Sequence, residues 1–208
     1  MIKLNYIKRE RGNKLSILIN VLGSPCSGKS TLAAKLFSKL KEMGVDVEYT
    51  QEYVKQFTYE KRNINKYTQY FIFGTECLNQ SRLFNSVAVT ISDSAVSMTG
   101  FYNNLYNNGD NSLSEACRAF YRKAAEDGVV VLNFFLPMRK KYNSKGRFQS
   151  ESQAREIDVS MREWMNQEGY EYEVLDCPDS KRVDKIIERL KEVVDIREEI
   201  VEDERVLG

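Results

Sequence analysis

The run Gly23-Ser24-Pro25-Cys26-Ser27-Gly28-Lys29-Ser30 lies between an apolar stretch, Leu15–Leu22, and a helical pattern. A glycine-bounded loop that leaves a strand and opens a helix turns its backbone N–H groups inward on an anion, and the lysine before the last serine reaches the same anion. Gly23 to Ser30 read as a binding loop for the phosphates of a nucleoside triphosphate. In it Lys29 meets the terminal phosphates and Ser30 ligates magnesium. Pro25 and Cys26 sit inside the loop; Cys26 reads as a small filler, with a redox role as the weaker alternative. The chemistry this implies is phosphoryl transfer or hydrolysis.

The helix after the loop reads from Ser30 to Met43, with Leu32, Leu36, Leu40 and Met43 on one face and Gly44 as its stop. Val45–Tyr49 reads as a strand, Lys66–Phe84 as a long helix, and Val87–Ser92 as a strand ending at Asp93. Ser112 and Glu115 have the spacing of a capping box for a helix to about Asp127. Strand Val129–Phe135, helix Glu151–Glu168, strand Tyr172–Leu175 and a helix capped by Asp179 complete the alternation. Strands alternating with helices predict an α/β fold, a parallel sheet with helices on both faces.

The chain's 208 residues fit one domain at 14–193, preceded by an extension at 1–13. Residues 194–208 hold six acids against two arginines and little periodicity, and read as an acidic, solvated tail. Lys and Arg total 31 against 30 Asp and Glu, so bulk charge gives no case for nucleic-acid binding and any such case is local. The chain has no histidine, which removes imidazole acid/base chemistry and imidazole metal ligands and leaves the work to carboxylates, lysines and arginines. Scattered cysteines, no signal peptide and no long apolar span point to a reduced, cytoplasmic protein that does not enter a membrane.

In a parallel sheet of this kind, ligands collect beyond the carboxyl ends of the strands. Asp93 is there the expected carboxylate for magnesium, with helix capping as the competing role. Glu52, just past the second strand, is the candidate base or orienter for an acceptor hydroxyl, against an ordinary solvated loop acid. Tyr53, Lys55 and Arg62 are candidates for the acceptor pocket. Arg139-Lys140-Lys141-Tyr142-Asn143-Ser144-Lys145-Gly146-Arg147 carries five cations and no acid after a core strand. It reads as a basic lid, with Arg139 and Arg147 aimed at the transferring phosphoryl group; a solvated basic loop is the plainer reading.

Taken together, Gly23–Thr31, Thr50-Gln51-Glu52-Tyr53, Tyr59-Glu60-Lys61-Arg62, Gln80-Ser81-Arg82, Ser92-Asp93-Ser94, Asn133-Phe134-Phe135-Leu136, Tyr142–Arg147 and Ala154-Arg155-Glu156-Ile157-Asp158 resemble the P-loop kinases of the nicotinamide-riboside-kinase-like AAA family. The likeness runs from about Leu15 to Leu190 and is closest to bacteriophage enzymes that phosphorylate 5-hydroxymethyluracil in DNA. It implies a nucleotide-kinase-like P-loop NTPase fold with a basic lid, and ATP and Mg2+ as cofactors bound by Gly28, Lys29, Ser30 and Thr31. Lys29, Glu52, Asp93, Arg139 and Arg147 are then the catalytic residues and Ser30 and Asp93 the metal residues. Glu52, Tyr53, Lys55, Arg62, Arg82, Lys140, Lys141 and Lys145 are the substrate side. The favoured acceptor is a hydroxymethylated pyrimidine in modified DNA, in host cytoplasm if the chain is phage-encoded. The alternatives are nicotinamide riboside or another small nucleoside, and a nucleotide-dependent switch.

Overall fold

The computed structural model of the protein describes residues 16–138 and 150–206. The expected extension at 1–13 and the basic run 139–147 lie outside them. Five strands form one sheet in the order β2-β3-β1-β4-β5: β1 Ser16–Leu22, β2 Val47–Thr50, β3 Val89–Ser92, β4 Val129–Phe135 and β5 Glu173–Val174. Every pairing is parallel, and β1 lies at the centre with Ile17 opposite Val89 on one side and Val130 on the other. All seven residues of β1 are buried, as a parallel strand covered on both faces requires.

Alternate side chains of β1 go to opposite layers. Ile17, Ile19 and Val21 pack with Leu32, Leu36 and Leu40 of α1 (Lys29–Glu42) and with Ile186, Leu190 and Val194 of α7 (Arg182–Val206). On the other face Leu22 and Phe135 join Met98 and Phe101 of α4 (Val96–Tyr106) and Met161, Trp164 and Met165 of α6 (Glu151–Gln167). There Leu18 meets Ala124 of α5 (Ser112–Glu126). The expected strand-helix succession is thus an α/β sheet with helices on both faces. Gly44 stops α1 as expected: at φ 77° it takes the left-handed turn that lets Val45 N–H reach the Leu40 carbonyl at 3.0 Å.

Two helices have no counterpart in the sequence reading. α2 (Val54–Tyr59) is too short to show a period. α4 hides for another reason: Val96, Ser97, Met98, Thr99, Gly100, Phe101 and Asn103 are all buried, so it lacks a polar face to contrast with its apolar one. Gly100 brings it against α5, where a Cβ would stand 3.2 Å from the Ser114 Cα. The Ser112 capping box is corrected: Ser112 is already helical, and its N–H donates to the Asp110 carboxylate at 2.9 Å. A capping box occurs instead at Ser150 and Gln153, before α6.

The expected tail boundary is corrected as well, because α7 continues through it to Val206 and Val194 is only 4% exposed. A carboxylate placed there would be buried without a partner. Val194→Asp should therefore lower stability by roughly 2 kcal/mol or more, read as a shift in the urea midpoint. A midpoint equal to the parent's would mean that this turn of α7 carries no core packing.

Candidate active site

At the end of β1 the chain turns through Gly23 at φ 143°, where a Cβ would lie 2.5 Å from the Leu136 carbonyl oxygen and 2.8 Å from Ser27 Oγ. No side chain fits between the loop and the exit of β4. Cys26 at φ 66° and Gly28 at φ 101° complete the bend, so Cys26 holds a left-handed conformation that glycine takes more easily. Gly28 caps α1 without a side-chain acceptor, and the first turn has no acid. Its N–H groups are thereby left to an anion. Lys29 folds back across the loop, its Nζ donating to the carbonyls of Gly23 at 2.9 Å and Ser24 at 3.2 Å. Ser27 Oγ is buried without a hydrogen-bond partner, while Thr31 is exposed on the first turn.

The back of the loop is held from α6. Ser24 Oγ donates to Asp158 Oδ1 at 2.9 Å, and the Met138 N–H donates to the same oxygen at 3.1 Å. Arg162 reaches Asp158 Oδ2 at 3.4 Å and lies over the Phe135 ring. Asp158 thus joins the phosphate loop, the segment after β4 and α6 through one buried carboxylate. Sequence reasoning gave it no role, although the spacing Asp158–Arg162 is that of a helical ion pair.

Across the sheet edge, Asp93 follows β3 and is 2% exposed. Its Oδ1 accepts the Glu52 N–H at 3.0 Å. The Tyr49 hydroxyl also bonds this carboxylate, and burial followed by the charge of Asp93 pushes the phenol well above its ordinary range. α4 begins after Ala95 with no side-chain cap, so Asp93 ties the exits of β2 and β3 together and does not cap the helix. Beneath them lies Glu76 of α3 (Lys66–Ser81), which is fully buried. Its Oε1 accepts the Tyr53 N–H at 3.0 Å, and its Oε2 has no partner. Burial pushes the Glu76 carboxyl up to about 7, with hydrogen bonds from the Tyr53 amide and the Ser94 side chain opposing it and the charges of Glu52 and Asp93 adding to it. One turn later, Gln80 donates to Ser92 Oγ at 3.1 Å and to the Ser94 carbonyl at 3.0 Å.

A cavity of about 480 Å3 opens beyond β2, bounded by Tyr49, Glu52, Tyr53, Lys55, Tyr59 and Arg82 among others. It gathers four of the expected substrate residues, Glu52, Tyr53, Lys55 and Arg82, from two helices and a strand end. Arg62 does not line it. Its guanidinium pairs with Glu60 at 2.7 Å and covers the Phe57 ring, so the expected pocket role is replaced by a surface ion pair. Arg139, Lys140, Lys141, Lys145 and Arg147 lie outside the described residues. Tyr49, Tyr59 and Asn79 line the cavity unannounced by the sequence reading; Asn79 precedes Arg82 by three residues on α3, a spacing that puts both on one face.

The donor set fits a magnesium triphosphate. Glycine turns, a free helix terminus and Lys29 suit phosphate oxygens, and magnesium characteristically rests on one or two protein oxygens plus those of the phosphates. Ser30 and Asp93 are the residues here that would hold it. Among the described residues no three His, Cys, Asp or Glu side chains cluster as a cation site of their own. No helix there is long and apolar enough to cross a membrane.

The profile of a family described as the AAA domain matches residues 18–182. Among solved structures, the fold is similar to NadR protein in complex with NR, with a TM-score of 0.64 and 20% identity over 86% of this chain and 52% of that one. The chain therefore spans about half the length of that protein. It is similar to thymidylate kinase from Ehrlichia chaffeensis at a TM-score of 0.58 and 15% identity, covering 85% of this chain and 99% of the other. Deoxyadenosine kinase from M. mycoides with bound dATP gives 0.51 and 17%, covering 83% and 98%. No curated protein sequence matches the chain.

The raised carboxyl of Glu76 has a measurable consequence. Between an unfolded value of 4.5 and about 7 in the folded protein, the folded chain keeps a proton that the unfolded chain has released. The stability this contributes is complete below the lower value and lost as pH rises through the higher one. Glu76→Gln cannot ionise, so its stability relative to the parent should increase by roughly 2 kcal/mol between about pH 5 and about pH 8. A flat difference in urea midpoints over that window would exclude a protonated Glu76.

Proposed function

The chain belongs to the AAA-domain family, and on that premise we propose that it is an ATP- and magnesium-dependent kinase that phosphorylates a hydroxyl of a free nucleoside, nicotinamide riboside being the first acceptor to test. One observation carries this reading: the cavity beyond β2 holds Glu52, and the Glu52 amide is bonded to the carboxylate assigned to magnesium. At about 480 Å3 it has the size of small-molecule sites, and its tyrosine walls suit a base and sugar. The likeness to a protein in complex with NR supports the same acceptor class.

Bound magnesium triphosphate supplies the phosphoryl group and the charge that neutralises it. Lys29 and the first-turn N–H groups of α1 hold the phosphate oxygens, Ser24 being fixed behind them by Asp158. Glu52 accepts the proton of the acceptor hydroxyl as its oxygen bonds to the terminal phosphorus and the bond to the leaving diphosphate breaks. Tyr53, Lys55 and Arg82 orient the acceptor. The resemblance assigns Arg139 and Arg147, which lie outside the described residues, to the transferring phosphoryl group. A hydroxymethylated pyrimidine in DNA, implied by the resemblance to phage enzymes, is the second acceptor to test: the net charge is +1, so any case for a polymer is local.

An acceptor screen with labelled ATP decides this, using nicotinamide riboside, common nucleosides, hydroxymethyluracil DNA and thymine DNA. Saturable transfer to a free nucleoside is expected. Transfer confined to hydroxymethyluracil DNA would reverse the acceptor assignment, and nucleotide binding without any transfer would point to a switch.

Lys29→Met should fold and lose transfer by about 100-fold or more, whereas parental turnover in the folded variant would refute the loop assignment. Asp93→Asn keeps an oxygen for the Glu52 amide. It should therefore retain the fold but require more magnesium for half-maximal rate; an unchanged magnesium titration would leave Asp93 a structural tie.

A further inference from the structure

Four residues of α3 are buried, Gln69, Ile72, Glu76 and Gln80, and three of them are polar. A helix that only packs on a sheet fills such a stripe with apolar side chains. Burying a carboxyl is costly unless its oxygens are used, and the Glu76 carboxyl is engaged by the Tyr53 amide and the Ser94 side chain. Consecutive N–H groups are thus gripped by carboxyls from different elements: residue 52 by Asp93 at the end of β3, residue 53 by Glu76 of α3. A chain held at both amides has little freedom to rotate, so the direction in which the Glu52 and Tyr53 side chains leave the backbone is fixed. Gln80 braces the arrangement by joining α3 to Ser92 and Ser94 on either side of Asp93.

We propose that Glu76 is a positioning residue for the acceptor: by binding the Tyr53 amide it sets the stance of Glu52 and Tyr53 on the cavity wall, and it takes no part in holding ATP. The acceptor half of this statement rests on the kinase reading above. The partners of Glu76, the Tyr53 amide and the Ser94 side chain, stand at the exits of β2 and β3, so its effect is assigned to the acceptor side of the cleft.

The test uses the full chain and three variants. Glu76→Ala removes the acceptor oxygen, Glu76→Asp withdraws it by one methylene in case alanine prevents folding, and Glu76→Gln retains it. Amide exchange followed by mass spectrometry needs no substrate. In the Ala and Asp variants, exchange over residues 51–57 should quicken about tenfold or more, while exchange over 23–31 and the affinity for ATP stay within about twofold of the parent. The Gln variant should match the parent in all three. With nicotinamide riboside as acceptor, the Asp variant should raise the acceptor KM about tenfold and leave the ATP KM unchanged, a split that general loosening of the fold would not produce. Parental exchange over 51–57 in the Asp variant, or ATP affinity falling in step with acceptor use, would overturn the proposal. Failure of the parent protein to phosphorylate any nucleoside would remove the kinase reading instead, and the exchange measurement would still decide whether Glu76 governs the Tyr53 amide.

Discussion

Parallel pairing around β1 is the constraint on which everything else rests. Because β3 and β4 both run alongside β1 in the same direction, the loops after Leu22, Thr50, Ser92 and Phe135 all leave from one edge of the sheet. Each loop arrives there with backbone amides that no strand neighbour satisfies. The protein meets that need with buried carboxyls: Asp158 for Met138, Asp93 for Glu52, Glu76 for Tyr53. The polar character of the cleft is therefore partly a consequence of closing a parallel sheet, and the same groups are then on hand for chemistry.

How much of this was legible in the sequence varies with the range of the interaction. The phosphate loop is a local signal, since its glycines, lysine and flanking strand and helix are consecutive. β4 was bounded to the residue because Val129–Phe135 is apolar but for Asn133 and follows Gly128. That Asp93 and Glu52 lie near one another follows from a topological argument, that strand ends converge, and the cavity brings Glu52 together with Tyr53, Lys55 and Arg82. Arg62 resembled them in sequence, yet a neighbouring glutamate captured it.

The residues that escaped detection are those whose roles depend on distant partners. Glu76 looks like any helical glutamate until Tyr53, 23 positions earlier, is seen to need it. Asp158 bonds a serine 134 positions away. α4 was invisible because burial on every side erases the amphipathic pattern by which helices are read, and α7 was cut short because acidic composition resembles a tail even where the backbone remains helical.

The bond from the Glu52 amide to Asp93 makes the two halves of the cleft partners in a thermodynamic sense. A carboxylate has a limited amount of electron density to share. On the proposed chemistry, a cation drawn to Asp93 with the nucleotide competes with the amide for that density and alters the backbone that presents Glu52. Nucleotide and acceptor would then be linked ligands, each changing the other's affinity by the same factor, through a single hydrogen bond 3.0 Å long.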